Sequence, residues 1–158
     1  MRTNLKQITK SLDALADCIL QEKSRTEVEA LEVAKELLIE RVFGVGPYGG
    51  GFSQDGSSLG EYSDPYKKKR FAKGLVNLLK NLLFTGSLQH AIQVGVNNKK
   101  NVLGFTDLDL AEIARFQEES KNQIGEKVFA LNDEEIGITV EVINKGVKRA
   151  LKECFNTA

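Results

Sequence analysis

The chain has 158 residues, 41% of them hydrophobic and 28% charged, with Lys plus Arg equal to Asp plus Glu at 22 each. That length fits one domain with a real core. Zero net charge argues against a protein whose main task is to coat nucleic acid or an anionic membrane by counterion release. No stretch reaches the ~18 apolar residues of a transmembrane helix, and no apolar signal core opens the chain. Synthesis and first residence in a cytoplasm are therefore expected.

The first forty or so residues read as helix. Leu5, Ile8, Leu12, Leu15 and Ile19 recur at three- and four-residue steps, and the stripe resumes as Val28, Leu31, Ala34 and Leu38. Between them, Lys23-Ser24-Arg25 is polar and Thr26 to Glu29 has the form of a capping box. Either one helix spans residues 4–42 or two meet near Ser24; the lack of Gly and Pro favours one. From Gly44 to Asp64 seven glycines share a segment with Pro47, Ser and Asp. Glycine is costly to order, so this is expected to be a flexible loop within the single domain. Tyr48, Phe52 and Tyr62 are expected to anchor it on a neighbouring surface.

Asp64-Pro65 suits a helix start. The basic run Lys67-Lys68-Lys69-Arg70 then falls in the first turn, with an apolar face of Phe71, Leu75, Leu78, Leu79 and Leu82 behind it. Cations at a helix N-terminus oppose the dipole, which makes an acidic partner for this run plausible. Leu88, His90, Ile92, Val94 and Val96 alternate with polar or small residues, and Asn97 to Lys100 is a polar turn. A hairpin over about 87–105 follows. Thr106-Asp107 caps a short helix to about Ser120, residues 127–131 read as a third strand, and Asn132-Asp133 caps a last helix. That helix carries the most regular stripe of all: Ile136, Val140, Ile143, Val147, Leu151 and Cys154. Gly137 and Gly146 beside it suggest close approach of another element. The expected fold class is α+β: a small antiparallel sheet flanked by long N- and C-terminal helices.

Catalytic signals are weak. Gly44-Val-Gly46-Pro-Tyr-Gly49 is a literal G-x-G-x-x-G, but it follows a helix and precedes a Gly/Ser segment, whereas the dinucleotide fingerprint needs a strand before and a helix after. His90 is the single histidine and is expected on the apolar face of a strand, as a core or edge residue rather than a base or ligand. Cys18 and Cys154 are far apart and in no metal-type spacing, so they are expected as buried reduced thiols rather than a disulfide. The acidic group Asp133-Glu134-Glu135 is explained by the dipole of the helix it opens. No catalytic residue, cofactor site or metal site is assigned. A long Gly-rich loop, a short sheet and strongly amphipathic helices are the parts of an assembly subunit.

The order Leu82-Leu-Phe-Thr85-Gly86-Ser-Leu88, then Ala91-Ile92, a hairpin, Ala111 to Glu118, Ile124 to Phe129 and an acidic-capped helix resembles the small virion morphogenesis proteins of tailed bacteriophages. These are the neck and tail-completion proteins. Tyr62-Ser-Asp-Pro-Tyr66 with Lys69-Arg70 resembles their Tyr-Ser-x-x-Tyr and basic segment. The likeness covers roughly Tyr62 to Leu151, with the Thr85-Gly86 turn its strongest element. Gly125 and Lys127 depart from the usual Pro and Arg, Phe116 from a frequent His, and Ser120 from Gly. The resemblance implies a non-enzymatic subunit of a virion ring at the head–tail junction. Its partners would be copies of itself and neighbouring head-connector and tail proteins, with DNA only passing through and no membrane. Interface residues are expected at Gly44, Tyr48, Phe52, Tyr62, Tyr66, Lys67, Lys68, Lys69 and Arg70. A cytoplasmic nucleic-acid-binding regulator using residues 67–70 is the competing reading.

Overall fold

The computed structural model describes residues 2–44, 50–75, 80–82, 85–119 and 127–157. The N-terminal segment is one unbroken helix, α1 (Arg2–Phe43). Its polar middle, where two helices were an alternative, is stitched by Arg25 to Glu22 and Glu29 at 3.3 and 3.0 Å, pairs one turn apart that support a continuous helix. A short helix α2 (Asp64–Phe71), a single turn α3 (Ser87–His90), and strands β1 (Ile92–Asn97) and β2 (Lys100–Phe105) follow. Helices α4 (Leu108–Glu119) and α5 (Asp133–Thr157) complete the chain. The architecture is α+β, a two-stranded antiparallel sheet between long N- and C-terminal helices.

The hairpin register runs from Ile92 opposite Phe105 to Asn97 opposite Lys100. Asn98 and Lys99 both take positive φ, 49° and 63°, the signature of a tight turn whose twist matches the strands. The first strand begins later than the alternation suggested. Residues 87–90 are helical, so His90 is exposed, and its Nδ1 lies 2.7 Å from the Gly86 carbonyl instead of on a strand face. Asp107 caps α4, its carboxylate accepting from the amides of Asp109 and Leu110 at 2.9 and 3.1 Å.

Residues 127–131 are not a third strand: they pair with no strand among the described residues and run through bends. Side chains take up their backbone groups instead. One Glu118 carboxylate oxygen accepts from the amides of Val128 and Phe129 at 2.8 and 2.9 Å. The Arg41 guanidinium donates to the carbonyls of Val128, Ala130 and Phe52 at 3.1, 2.7 and 3.0 Å. Its remaining edge meets Glu135 at 2.7 Å, both side chains being almost wholly buried. Glu135 in turn accepts from the Asn132 amide, while Asn132 caps the Glu135 amide, so one reciprocal box fixes the start of α5.

The segment expected to be a floppy loop is tied down over residues 50–63. Gly51 and Phe52 amides donate to the carbonyls of Val42 and Arg41, and Leu59 returns to Gly51 at 2.7 Å. The Gln54 amide donates to the Lys127 carbonyl, and its side chain to that of Leu131. Glycine is required where this turn starts. Gly50 and Gly51 both have φ of 82°, and a Cβ on either would strike backbone of Gly44 or Lys80. Leu59 enters the core with Leu38, Val42, Phe43, Ile92 and Val128, and the loop is part of the fold rather than an appendage. Residues 45–49, including Tyr48 and most of the G-x-G-x-x-G match, lie outside the described residues.

Helices α1 and α5 pack antiparallel. Arg41 meets Glu135 near one end, Arg149 meets Glu22 and Glu29 at 3.2 and 3.0 Å further along, and Cys18 is bonded to Cys154 near the other. Gly146 permits the close approach, since a Cβ there would overlap the buried Thr26 side chain. Gly137, expected to do the same, faces open space. The disulfide corrects the expectation of two reduced thiols. The cysteines are 136 residues apart in sequence, but the antiparallel pair brings their Cα atoms to 5.7 Å.

Two outcomes follow from this packing. Cys18→Ser, or reduction of the wild type, should lower unfolding free energy by about 2–5 kcal/mol, because the bond closes most of the chain into one loop. Urea titration with and without reductant checks this; equal midpoints would contradict it. Arg41→Met should cost about 3–5 kcal/mol, since it strands the buried Glu135 carboxylate and three carbonyls. A loss below about 1 kcal/mol would show that the fork is dispensable.

Candidate assembly surface

The basic run does not form one patch. It occupies the middle and end of α2, so Lys68, Lys69 and Arg70 sit in the last turn, where cations suit the helix dipole. The expected conflict with the dipole, and the acidic partner inferred from it, are withdrawn. The helix starts one residue earlier than expected, with Ser63 as N-cap. Leu75 and Leu82 fall beyond its end, and residues 76–79 lie outside the described residues.

Each member of the run has a separate task. Lys67 reaches back to Glu61 at 2.8 Å and Asp64 at 3.5 Å. The hydrogen bond it donates to Glu61 raises its pKa further above neutrality. Lys68 and Lys69 are exposed. Arg70 is buried, donating to the Asn81 side chain at 3.1 Å with its guanidinium 4.3 Å from the centre of the Tyr62 ring. Asn81 passes the connection on to the Gly44 carbonyl at 3.4 Å. Tyr62 packs on Tyr66 with centroids 5.0 Å apart, and burial raises the Tyr62 phenol above its ordinary range.

Of the residues expected at an interface, then, Gly44, Phe52 and Arg70 work inside the fold. Gly44 ends α1 and accepts from Asn81, while the Phe52 carbonyl holds Arg41. Tyr62 and Tyr66 line an open groove of about 670 Å³ between α2 and α4, floored by Leu82 and Leu88 and closed by Leu110 and Ile113. Among the described residues no group of three or more His, Cys, Asp or Glu side chains converges as a metal site would require. No helix among them is long and apolar enough to cross a membrane.

The larger feature, outside the residues expected at an interface, is apolar surface on α5 and α1. The most regular stripe, on α5, faces outward except for its last member Cys154: Ile136, Val140, Val147 and Leu151 are 44%, 47%, 50% and 52% exposed. On α1, Leu5, Ile8 and Leu12 are 68%, 58% and 59% exposed. The side of α5 against α1 is built instead from Glu135, Gly146, Arg149 and Cys154. Contiguous apolar faces of this kind mark interaction surfaces. A sequence-level signal was present: two strands cannot cover so many periodic apolar positions.

No family model, curated protein or solved structure matches this chain.

The division within the basic run is testable by mutation. Arg70→Ala should lower stability by about 2–3 kcal/mol through the lost charged hydrogen bond and ring contact. Lys68→Ala with Lys69→Ala should change it by less than about 0.5 kcal/mol. Equal effects from both variants, read by thermal melts, would contradict the assignment.

Proposed function

We propose that the chain is a structural, non-enzymatic subunit of a tailed bacteriophage virion, acting in neck assembly or tail completion as part of an oligomeric ring. The observation that carries this reading is the pair of open apolar helix faces on α1 and α5. The element order supports it in part: a turn at Thr85-Gly86, a hairpin, a short helix and a last helix with an acidic first turn follow one another, while the strand that the resemblance calls for before the last helix is absent among the described residues. Neighbouring head-connector and tail proteins have a candidate seat in the Tyr62–Tyr66 groove. The Cys18–Cys154 bond fits a protein that leaves the cytoplasm inside a particle, where disulfides persist. DNA is passing cargo in this reading.

The competing regulator loses its footing. Its DNA grip needs four free cations, whereas Lys67 is ion-paired and Arg70 is buried. The deciding experiment is disruption of the gene in the phage that carries it, followed by electron microscopy of the lysate. Separate heads and tails, or tails of abnormal length, are the expected result. Intact infectious particles lacking the protein would overturn the proposal.

A further inference from the structure

The Cys18–Cys154 bond sits at the far end of a long helix pair. The apolar cluster that holds α1 starts at Leu38, roughly 30 Å of helix from Cys18 at 1.5 Å per residue. On α5, Cys154 is about as far from Glu135, the residue that meets Arg41. Helix α1 has a second support in this stretch, since the Asn101 side chain on β2 donates to Glu27 at 2.8 Å. Helix α5 has α1 alone.

The inner side of α5 holds poorly to α1. Among the described residues its one buried apolar side chain is Cys154, with Val142 and Ala150 half-buried. Such small areas contribute little on closure. Thr26 of α1 is buried directly against Gly146, and its hydroxyl has no hydrogen-bond partner among the described residues. A buried donor left unmet opposes closure.

The ion pairs do not make up the difference. Arg149 reaches Glu22 and Glu29 at 3.2 and 3.0 Å, but all three side chains are partly open to water, where such pairs contribute little. Both carboxylates are also held on α1 itself by Arg25, at 3.3 and 3.0 Å. When α5 moves away, neither carboxylate is left alone, and Arg149 passes from a partly exposed site into water. The covalent bond is therefore what keeps the two helices together at this end.

We infer that Cys18–Cys154 is a redox-operated latch: closed, it holds α5 along α1, and reduced, it lets α5 swing away from the Arg41–Glu135 end while the core stays folded. Cys154 is buried and Cys18 half-buried, so an incoming thiolate meets the Cys18 sulfur first. Attack by a low-molecular-weight thiolate forms a mixed disulfide on Cys18 and releases Cys154 as a thiolate, which takes up a proton. A second thiol attacks the outer sulfur, frees Cys18 and departs within the small-molecule disulfide. Two thiols are oxidised, and two electrons and two protons pass to the protein. The reverse exchange with a small-molecule disulfide closes the latch. The helix pair is thus splayed in a reducing medium and rigid in an oxidising one.

Amide hydrogen exchange on the full-length chain, oxidised and after reduction with dithiothreitol, is the test. Reduction should speed exchange of residues 139–154 by about tenfold or more, because an unsupported helix frays in water, and should leave residues 38–43 and 128–136 within about twofold. Cys18→Ser should show the reduced pattern with or without dithiothreitol. Thr26→Val replaces the unmet hydroxyl with a methyl group of similar shape. It should slow the exchange of reduced α5 severalfold and leave the oxidised protein unchanged. Exchange of residues 139–154 that does not respond to reduction would overturn the latch, because the seam would then hold by itself. An equal rise in all three segments would overturn it as well, because the bond would then support the whole fold. Reduced Thr26→Val that exchanges no more slowly would overturn the part given to Thr26 in the opening.

Discussion

The fold depends on what Arg41 does at the end of α1. Its guanidinium gathers three carbonyls from two irregular segments and one buried carboxylate from α5, all within 3.1 Å. A two-stranded sheet is marginally stable by itself and cannot satisfy the backbone of its surroundings. Here, one planar cation replaces the missing strand partners, and its fixed fork is suited to such parallel acceptance. Glu118 performs the complementary task from the other side, accepting the amides of Val128 and Phe129. The two side chains hold residues 127–131 in place without a ladder.

That arrangement keeps the core small and local. Leu38, Val42, Phe43, Leu59, Ile92 and Val128 cluster where α1 ends, the Gly-rich loop turns and the hairpin begins. The long remainder of α1 is held to α5 by a polar and covalent seam: Arg149 between Glu22 and Glu29, the Thr26–Gly146 approach and the Cys18–Cys154 bond. The hydrogen bond from Arg149 lowers the Glu29 pKa, so this part of the seam is fully present above the ordinary carboxylate range and is lost as pH falls below that range and through the lowered value. With the seam built this way, the strongest apolar stripes are left for something outside the chain. Structure and proposed function meet at that point.

Local signals in the sequence located the elements well. An uninterrupted α1, the tight turn at Asn98-Lys99 and the caps at Asp107 and Asn132 are legible in the sequence, because each rests on neighbours within a few residues. The failures were tertiary. Alternation at Leu88 and His90 gave way to a single helical turn, and the apolar run at 127–131 was captured by side chains of Arg41 and Glu118. Periodicity shows that a stripe is apolar but not what covers it, so the outward direction of the α5 stripe is visible only in the fold. Arg70 was grouped with its lysine neighbours because a sequence displays charge and hides burial. The cysteine pair was missed for the same reason, since its proximity is a property of the antiparallel helices alone.

The most direct test of the account is amide hydrogen exchange on the wild-type protein at a low and a high concentration. Residues 38–43 and 128–136 should exchange slowly at both, because their protection comes from the Arg41 frame within one chain. Residues 5–19 should exchange rapidly when dilute and become protected when concentrated, together with the outward side of α5. Identical exchange of residues 5–19 at both concentrations, or rapid exchange around Arg41, would contradict the account.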